Sequence, residues 1–288
     1  MTAPRGLGAR GLVLLAVALA VAAAWVALDA PLSDLVPSGG GARIVRAFFA
    51  RALTPALAYE SAVPEGTPPI LVQAFHGARR TVVFAAAATS LALVLGAVLG
   101  FLGSSAWWAG DPAGARSPLA RAARSALAPA AWSATRVVIV AMRSVHEVLW
   151  AVLFLAAFGL TPATGVLAIA IPYGGTLAKV FSEMIDEAPR DSAHALRAAG
   201  ATPLSVFCFG LVPRALPDLA SYSFYRFECA VRSSAVLGFF GFPTLGYSIS
   251  ASFENLHYGE VWTYLYALGL LVVGLELWSA ALRRRFVA

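Results

Sequence analysis

Runs of mostly apolar residues, each about 20 residues long and so of the length of a membrane-spanning helix, contain ionisable side chains, of which five are considered first. They are Arg143, Glu147, Arg226, Glu228 and Arg232. An ionised group at the centre of a bilayer costs about 2.5 kcal/mol or more on insertion scales, so each of these groups must face a partner or water. They are therefore the first candidates for chemistry in this sequence.

The spacing of four of these charges also fits a purely structural role. Arg143 and Glu147 are four residues apart, as are Glu228 and Arg232. Residues at that spacing share one face of a helix, so each pair could neutralise itself and fix the packing of its helix. This interpretation stays open beside a role in binding.

Arg226 has no such partner in its own helix. Ser223 and Ser233 lie on the same side, at i−3 and i+7. A guanidinium matches the fork of oxygens on an oxyanion. We therefore expect Arg226 to face a pathway and to make a weak, hydrated contact with a passing anion.

Motifs for other chemistries are absent from the sequence. No GxxxxGK[ST] phosphate-binding loop occurs, and the single lysine, Lys179, follows no glycine-rich loop. The four histidines show no HxxxH or HExxH spacing, so we predict no metal site. A membrane-embedded enzyme for lipid or phospho-substrates would have to assemble its acid and base from Glu147, Glu228 and His146. That alternative predicts turnover by the isolated chain.

The elements that must position these residues are membrane helices. The chain is 59% hydrophobic and only 12% charged, whereas a soluble domain has about 25% charged residues. Because the apolar runs lack the alternation of an outer-membrane barrel, we predict an all-α integral membrane protein with six transmembrane helices. The predicted spans are residues 11–28, 81–102, 137–158, 162–181, 219–240 and 261–282.

The basic residues predict the orientation of these spans. With the N-terminus inside, thirteen lysines and arginines fall in cytoplasmic segments and five fall outside, so both termini are expected in the cytoplasm. The five outer residues are Arg43, Arg46, Arg51, Arg79 and Arg80. The first run also resembles a signal peptide, but its length and a proline after the best cleavage site favour an uncleaved span.

The chain divides into two predicted regions. Residues 1–77 contain the first transmembrane helix and an outer loop, in which "ARIVRAFFARAL" has the pattern of a short amphipathic helix at the membrane interface. Residues 78–288 form a five-helix core that includes a cytoplasmic hairpin at 183–217. The net charge of +6 fits contact with anionic membrane lipid, and no basic stripe of the kind that binds nucleic acid is present.

The hairpin begins with a helix predicted over residues 190–199. Arg190, His194 and Arg197 form a basic stripe on this helix at i, i+4 and i+7. Gly200 then stands where a C′ glycine ends a helix.

A second hairpin helix follows directly. Thr202 supplies its N-cap and Pro203 its first residue. Its apolar positions at i, i+3, i+4 and i+7 are Leu204, Phe207, Cys208 and Leu211. Pro213 and Pro217 are expected to end it before the fifth span. The hairpin could dock onto another protein or lie on the lipid surface, and its residues alone favour neither.

The stretch "HALRAAGATPLSVFCFGLVPRALP" resembles the EAA loop of ABC importer permeases. The pattern of that loop is EAA, three residues, glycine and, nine residues later, I-x-L-P. Gly200 and Pro213 are in register with the glycine and the final proline, and Ala195 is in register with the first alanine. His194 replaces the glutamate, and Gly210 replaces the isoleucine.

The resemblance extends to phosphonate-type permeases over roughly residues 80–285. "SYSFYRFECAVRSSAVLGFFG" is similar to their fifth span, SYxxYRFExxVRxxxVLG. "TVVFAAAATSLALVLGAVLGFLGS" is similar to their second span, and "RSVHEVLWAVLFLAAFGL" to their third. After the fifth span, "GFPTLG" stands where these permeases are expected to have GAGGIG.

The resemblance implies a type I permease core that carries phosphonate, phosphite or phosphate across the cytoplasmic (inner) membrane. It implies a non-catalytic chain without a cofactor, since ATP and Mg are bound by a separate ATPase. The implied partners are a second copy of the chain, two ATP-binding subunits, an extracytoplasmic substrate-binding protein and membrane lipid, without nucleic acid. An importer for an amino acid or a metal chelate would use the same loop and is the alternative.

Two sets of site residues are predicted, the first from the resemblance and the second from the intramembrane charges. The residues expected to contact the ATPase are His194, Ala195, Leu196, Arg197, Gly200, Ala201, Thr202 and Pro203. The residues expected along the translocation pathway are Arg226, Ser223, Ser233, Glu228, Arg232, Arg143 and Glu147.

Overall fold

The computed structural model describes residues 8–29, 31, 36–108 and 118–286, and every regular element in these ranges is helical. The described residues include five helices that are long and apolar enough to cross a membrane, and a sharply bent pair that makes a sixth crossing if it counts as one span. This confirms the predicted all-helical membrane fold. The chain forms two compact units, Met1–Leu53 and Thr54–Ala288.

The first unit contains helices α1 (Ala9–Ala27) and α2 (Gly39–Ala50). Helix α1 has a mean hydropathy of 2.2 and coincides with the first predicted span. Helix α2 is the predicted short helix of the outer loop. It begins after Ser38, whose Oγ accepts a hydrogen bond from the Gly41 N–H at 3.3 Å and caps the helix.

The second unit holds the remaining helices. They are α3 (Ile70–Gly103), α4 (Ser105–Trp108), α5 (Pro118–Ser144), α6 (Glu147–Phe158), α7 (Pro162–Glu187), α8 (Asp191–Ala198), α9 (Pro203–Ser205), α10 (Val212–Val236), α11 (Leu245–Glu254) and α12 (Tyr258–Phe286). A π-helical turn, Val206–Leu211, joins α9 to α10, and a 3₁₀ turn, Leu237–Phe240, follows α10.

Helices α3 and α7 form the centre of the second unit, and small residues let them approach closely. A Cβ atom at Gly96 would lie 2.6 Å from Leu177 Cβ, and one at Gly174 would lie 2.9 Å from Leu95 Cβ. Small residues at helix contacts are typical of membrane proteins, because lipid tails are as apolar as the side chains and close packing has to bring the helices together.

The third predicted span, residues 137–158, is not one helix. Helix α5 ends at Ser144, α6 begins at Glu147, and the two are bent by 89°. His146 caps α6, because its Nδ1 accepts a hydrogen bond from the Val148 N–H at 3.3 Å. The side chain thus replaces a backbone acceptor and allows the chain to turn. As a result, Arg143 and Glu147 belong to different helices.

Two further boundaries differ from the prediction. Helix α3 begins at Ile70, well before residue 81, and its 34 residues make it about 51 Å long at 1.5 Å per residue, which exceeds a bilayer core of about 30 Å. Helix α11 was not predicted, because its ten residues are too few for a span and follow a glycine- and proline-containing turn.

The segment 54–69 packs on the start of α12, although the predicted division at residue 77 places it with the first helix. Glu260 is 5% exposed and accepts hydrogen bonds from the Glu60 N–H and the Ser252 hydroxyl, both at 2.8 Å. The Thr263 hydroxyl donates to the Ala56 carbonyl at 2.6 Å. These buried polar contacts join the segment to α11 and α12.

Candidate functional site

The turn of the hairpin has the predicted structure. Gly200 has φ +79°, a left-handed conformation that glycine adopts without strain. The Gly200 N–H donates to the Arg197 carbonyl, and the Ala201 N–H donates to the Leu196 carbonyl, both at 3.0 Å. This pair of bonds is a Schellman motif, which satisfies the last carbonyls of α8. The sharp end of the first hairpin helix is therefore confirmed.

The second hairpin helix starts as predicted but does not end as predicted. Thr202 Oγ1 accepts a hydrogen bond from the Ser205 N–H at 3.3 Å, and Pro203 is the first helical residue. Helical structure then continues from Pro203 to Phe240, so the expectation that Pro213 and Pro217 end this helix was wrong. The π-helical turn just before Pro213 explains the continuity, since its wider ring accommodates a residue without an N–H.

The π-helical turn also changes which side chains are buried. Phe207 and Leu211 are buried as predicted, but Leu204 is 53% exposed and Cys208 is exposed. Val206, 1% exposed, takes the place of the expected neighbours. A wide turn contains more than 3.6 residues, so the apolar stripe read with the α-helical period shifts by one position.

The two helices of the hairpin meet at Gly210. A Cβ atom at Gly210 would lie 3.1 Å from the Ala193 Cα, so the backbones of the two hairpin helices are nearly in contact. The Ser192 hydroxyl donates to the Gly210 carbonyl at 2.8 Å. Leu196 packs at the same contact. The glycine that departs from the EAA-loop pattern is thus explained by close packing.

Aromatic rings attach the hairpin to the end of α3. The ring of Phe207 lies 4.7 Å from that of Phe101 and 5.9 Å from that of Trp107, both in edge-to-face geometry. Ile185 and Ala188, at the end of α7, belong to the same buried cluster. The hairpin therefore packs against the ends of α3 and α7 and is continuous with α10.

A half-buried carboxylate fixes the same end of the helix bundle. Asp186 accepts hydrogen bonds from the Ser104 hydroxyl at 2.6 Å and from the Ser105 and Ala106 N–H groups at 2.9 Å. Arg136 of α5 lies 4.0 Å from its carboxylate. Sequence reasoning missed Asp186, because its partners are about 50 and 80 residues away along the chain.

The residues predicted to contact an ATPase lie along the free side and the turn of the hairpin. Exposed side chains include His194 and Arg197 on α8, with Arg190 just before it, and Leu204 after the turn. The other predicted residues are Ala195, Gly200, Thr202 and Pro203, which are exposed, and Leu196 and Ala201, which are half-buried. The predicted residues thus lie together along α8 and the turn, and Leu196 faces the second helix of the hairpin.

An intramembrane cluster joins α6, α7 and α10. The guanidinium of Arg226 lies 3.9 Å from the ring centre of Tyr173. The Ser233 hydroxyl donates to Glu147 Oε1 at 2.8 Å, so the Tyr173 hydroxyl, also at 2.8 Å, must donate to Ser233. Glu147 Oε2 lies 3.4 Å from His146 Nε2. The predicted association of Arg226 with Ser233 is therefore mediated by Tyr173, which no sequence pattern singled out.

The two predicted intrahelical charge pairs do not form. Glu147 pairs with His146 and Ser233, because the bend before α6 directs it away from Arg143. The Glu228 carboxylate lies 3.3 Å from the guanidinium of Arg283 on α12. The side chain of Arg232, on α10, is exposed. Each carboxylate thus has its partner outside the predicted pair.

Two other predicted pathway residues lie apart from the cluster. The Ser223 hydroxyl donates to the Leu219 carbonyl at 2.7 Å, and its side chain faces an apolar groove that is also lined by Trp278. Arg143 lies in the last turn of α5, whereas the cluster is formed by α6, α7 and α10. The cluster therefore contains Arg226, Ser233 and Glu147 from the predicted set.

A polar cavity of about 670 Å³ lies at the hairpin end of α7, α10 and α12. Arg214 and Arg283 line it together with the carboxylates Glu187 and Asp218. Tyr222 also lines it and lies one turn of α10 before Arg226. The cavity thus extends from the hairpin toward the intramembrane cluster.

Comparison with known proteins gives the family. Residues 118–288 match the family described as binding-protein-dependent transport system inner membrane component. The chain belongs to this family of ABC importer permeases. The chain is 33% identical over 158 residues to the phosphite transport system permease protein PtxC of Stutzerimonas stutzeri, covering 55% of this chain and 58% of the relative. It is 31% identical over 121 residues to PhnE2 of Escherichia coli, named for a cryptic phosphonate transport system, covering 42% of this chain and 99% of the relative.

Solved permease structures share the fold. The inward-facing MetNI methionine ABC transporter aligns with a TM-score of 0.60 at 18% identity, over 78% of this chain and 99% of that chain. The resemblance to phosphonate-type permeases and the type I permease fold are both confirmed. The chain spans under two thirds of the length of PtxC.

Proposed function

We propose that this permease carries phosphite, phosphonate or phosphate into the cytoplasm as the translocating subunit of an ABC importer. Two copies of the chain would assemble with two ATP-binding subunits and an extracytoplasmic substrate-binding protein. The chain itself would be non-catalytic, and both of its termini would lie in the cytoplasm. The names of its relatives support the substrate class, and the distribution of basic residues supports the orientation.

The observation that carries this proposal is the packing of the hairpin against the ends of the transmembrane helices. Its free side exposes His194, Arg197 and Leu204, while its other side is fixed through Phe207 to the end of α3. A surface for a partner is thus attached to transmembrane helices without a flexible linker. Such an element can transmit the closure of an ATPase as a rigid-body movement.

The path of that movement leads to the intramembrane cluster. The hairpin continues into α10, which carries Arg226 and Ser233. Tyr173 of α7 contacts both residues, and α7 ends beside the hairpin. Tilting α10 against α7 would therefore separate Arg226 from Tyr173 and expose a cation to an anionic substrate. We propose Arg226 as the pathway residue with Ser233 and Glu147 near it, and Arg143, Glu228, Arg232 and Ser223 at its margins.

The test perturbs the turn of the hairpin and leaves the buried contacts between the hairpin and the transmembrane helices unchanged. Gly200→Asp places a side chain at φ +79°, where no heavy atom lies within 4 Å, so the change strains and charges only the exposed turn. Gly66→Asp is the matched control, because Gly66 has φ +88° and also has no neighbour within 4 Å. Each tagged chain would be extracted from its own membranes, and the co-purifying proteins identified by mass spectrometry.

The proposal predicts that an ATPase with a GxxxxGK[ST] motif accompanies the wild type and Gly66→Asp but is lost with Gly200→Asp. Retention of the ATPase by Gly200→Asp would contradict a coupling role for the turn. A wild-type chain that is stable and purifies alone would contradict the importer proposal itself.

A further inference from the structure

A second polar cavity lies at the opposite end of α3 from the hairpin. It has a volume of about 410 Å³ and lies between the first turns of α3 and the start of α11. Gly77 lines it, whereas Phe101 of the same helix contacts the hairpin. The two residues are separated by about 36 Å along the helix at 1.5 Å per residue. If the hairpin is cytoplasmic, this cavity is extracytoplasmic.

The lining of the cavity is cationic. His76, Arg79 and Arg80 line it from successive turns of α3, at i, i+3 and i+4. Gln73, one turn earlier, and Tyr247 of α11 add further polar groups. None of the described residues that line the cavity carries a carboxylate. Within the described part of the chain, neither arginine forms an ion pair.

These arginines differ from three basic residues that lie nearer the hairpin end of the bundle. Arg136, Lys179 and Arg283 each lie within 4.0 Å of a carboxylate. Two adjacent arginines on the extracytoplasmic side also run against the positive-inside rule, so membrane topology does not account for them. Their arrangement around a cavity fits a negatively charged ligand.

The walls of the cavity are held in place by buried contacts. Thr81 Oγ1 accepts a hydrogen bond from the Leu245 N–H at 3.1 Å, and its hydroxyl donates to the Gly77 carbonyl at 2.8 Å. Leu245 is fully buried, and a Cβ atom at Gly77 would lie 3.2 Å from its Cδ2. The start of α11 is thus fixed against α3, and a ligand would not have to order the two walls on binding.

We propose that this outer basic cavity, defined by Gln73, His76, Arg79, Arg80 and Tyr247, binds a small phosphorus oxyanion before it enters the pathway. The substrate class and the direction rest on the proposed function. Arginine presents the fork of donors that a tetrahedral oxyanion accepts. A water molecule occupies about 30 Å³, so the cavity has room for the anion with part of its hydration shell. The phosphate of a lipid headgroup has the same chemistry and is the competing ligand.

The experiment compares three full-length chains in a detergent without phosphate. They are the wild type, the double variant Arg79→Gln/Arg80→Gln, and the control Arg43→Gln/Arg46→Gln, which removes two exposed arginines of α2. Phosphite binding is followed by ³¹P NMR line broadening at low and high salt. Parallel titrations add short-chain phosphatidylglycerol. Retention of the co-purifying ATPase shows that each variant is folded.

The proposal predicts that phosphite binds to the wild type and the control, and at least tenfold more weakly to the double variant. High salt should also weaken binding, because exposed charges are screened. Equal phosphite binding by all three chains would overturn the proposal. Arginine-dependent binding of phosphatidylglycerol without phosphite binding would overturn it in favour of a lipid site.

Cellular uptake separates this proposal from the proposed function. Phosphite uptake that does not depend on Arg79 and Arg80 contradicts the outer basic cavity alone. Absence of uptake of all three phosphorus oxyanions by the wild-type complex contradicts the proposed function and, with it, the identity of the ligand.

Discussion

The packing of Phe207 should determine whether the hairpin acts as a rigid lever. Phe207 is 4% exposed and contacts the rings of Phe101 and Trp107 at 4.7 and 5.9 Å. Truncating a buried phenylalanine to alanine costs about 3–5 kcal/mol. Even if α8 retains its contact at Gly210, we expect Phe207→Ala to favour local opening of the hairpin by at least tenfold, or about 1.4 kcal/mol.

Hydrogen exchange of the α8 backbone amides measures this opening directly. The control is Phe209→Ala, because Phe209 lies in the same π-helical turn but is 75% exposed. We expect at least tenfold faster exchange in Phe207→Ala and an unchanged rate in Phe209→Ala. In the assembled transporter, Phe207→Ala should also hydrolyse more ATP per anion imported. Wild-type exchange in Phe207→Ala, or equal acceleration in both variants, would refute the rigid mounting.

Two other contacts give sharp predictions. Tyr173→Leu removes the ring that Arg226 faces at 3.9 Å and should destabilise the chain by about 0.5–2 kcal/mol more than Tyr173→Phe, which keeps the ring. Equal thermal unfolding midpoints in detergent would contradict the stacking contact. Glu260→Ala leaves the Glu60 N–H and the Ser252 hydroxyl without their acceptor, and each such group costs about 1–3 kcal/mol. Glu254→Ala removes only an exposed bond to Ser250; similar unfolding midpoints for both variants would show that segment 54–69 is not held by Glu260.

Features set by neighbouring residues could be predicted from the sequence. The turn of the hairpin follows from Gly200, Thr202 and Pro203, because a left-handed glycine and an N-cap act within one helical turn. The long spans follow from apolar composition for the same local reason. The helix bend at His146 was missed, since a histidine cap inside an apolar run has no distinct pattern.

Partners supplied by distant helices could not be predicted. Glu147 and Glu228 each have an arginine four residues away, and those local pairs were one of the two interpretations left open by the spacing. The actual partners, Ser233 and Arg283, come from other helices of the bundle. Only the packing of α6 and α12 against α10 brings them together. Charge spacing along one helix therefore identified polar residues of the membrane region without identifying their contacts.

The central claim is that this chain and its partners drive the import of a phosphorus oxyanion. It is tested most directly by reconstituting the co-purified complex into proteoliposomes and measuring uptake of labelled phosphite, phosphonate and phosphate, with amino acids for comparison. We predict uptake of at least one phosphorus oxyanion that requires ATP and the binding protein, and that is lost in Gly200→Asp. ATP-dependent uptake of an amino acid, with none of the three oxyanions carried, would contradict it.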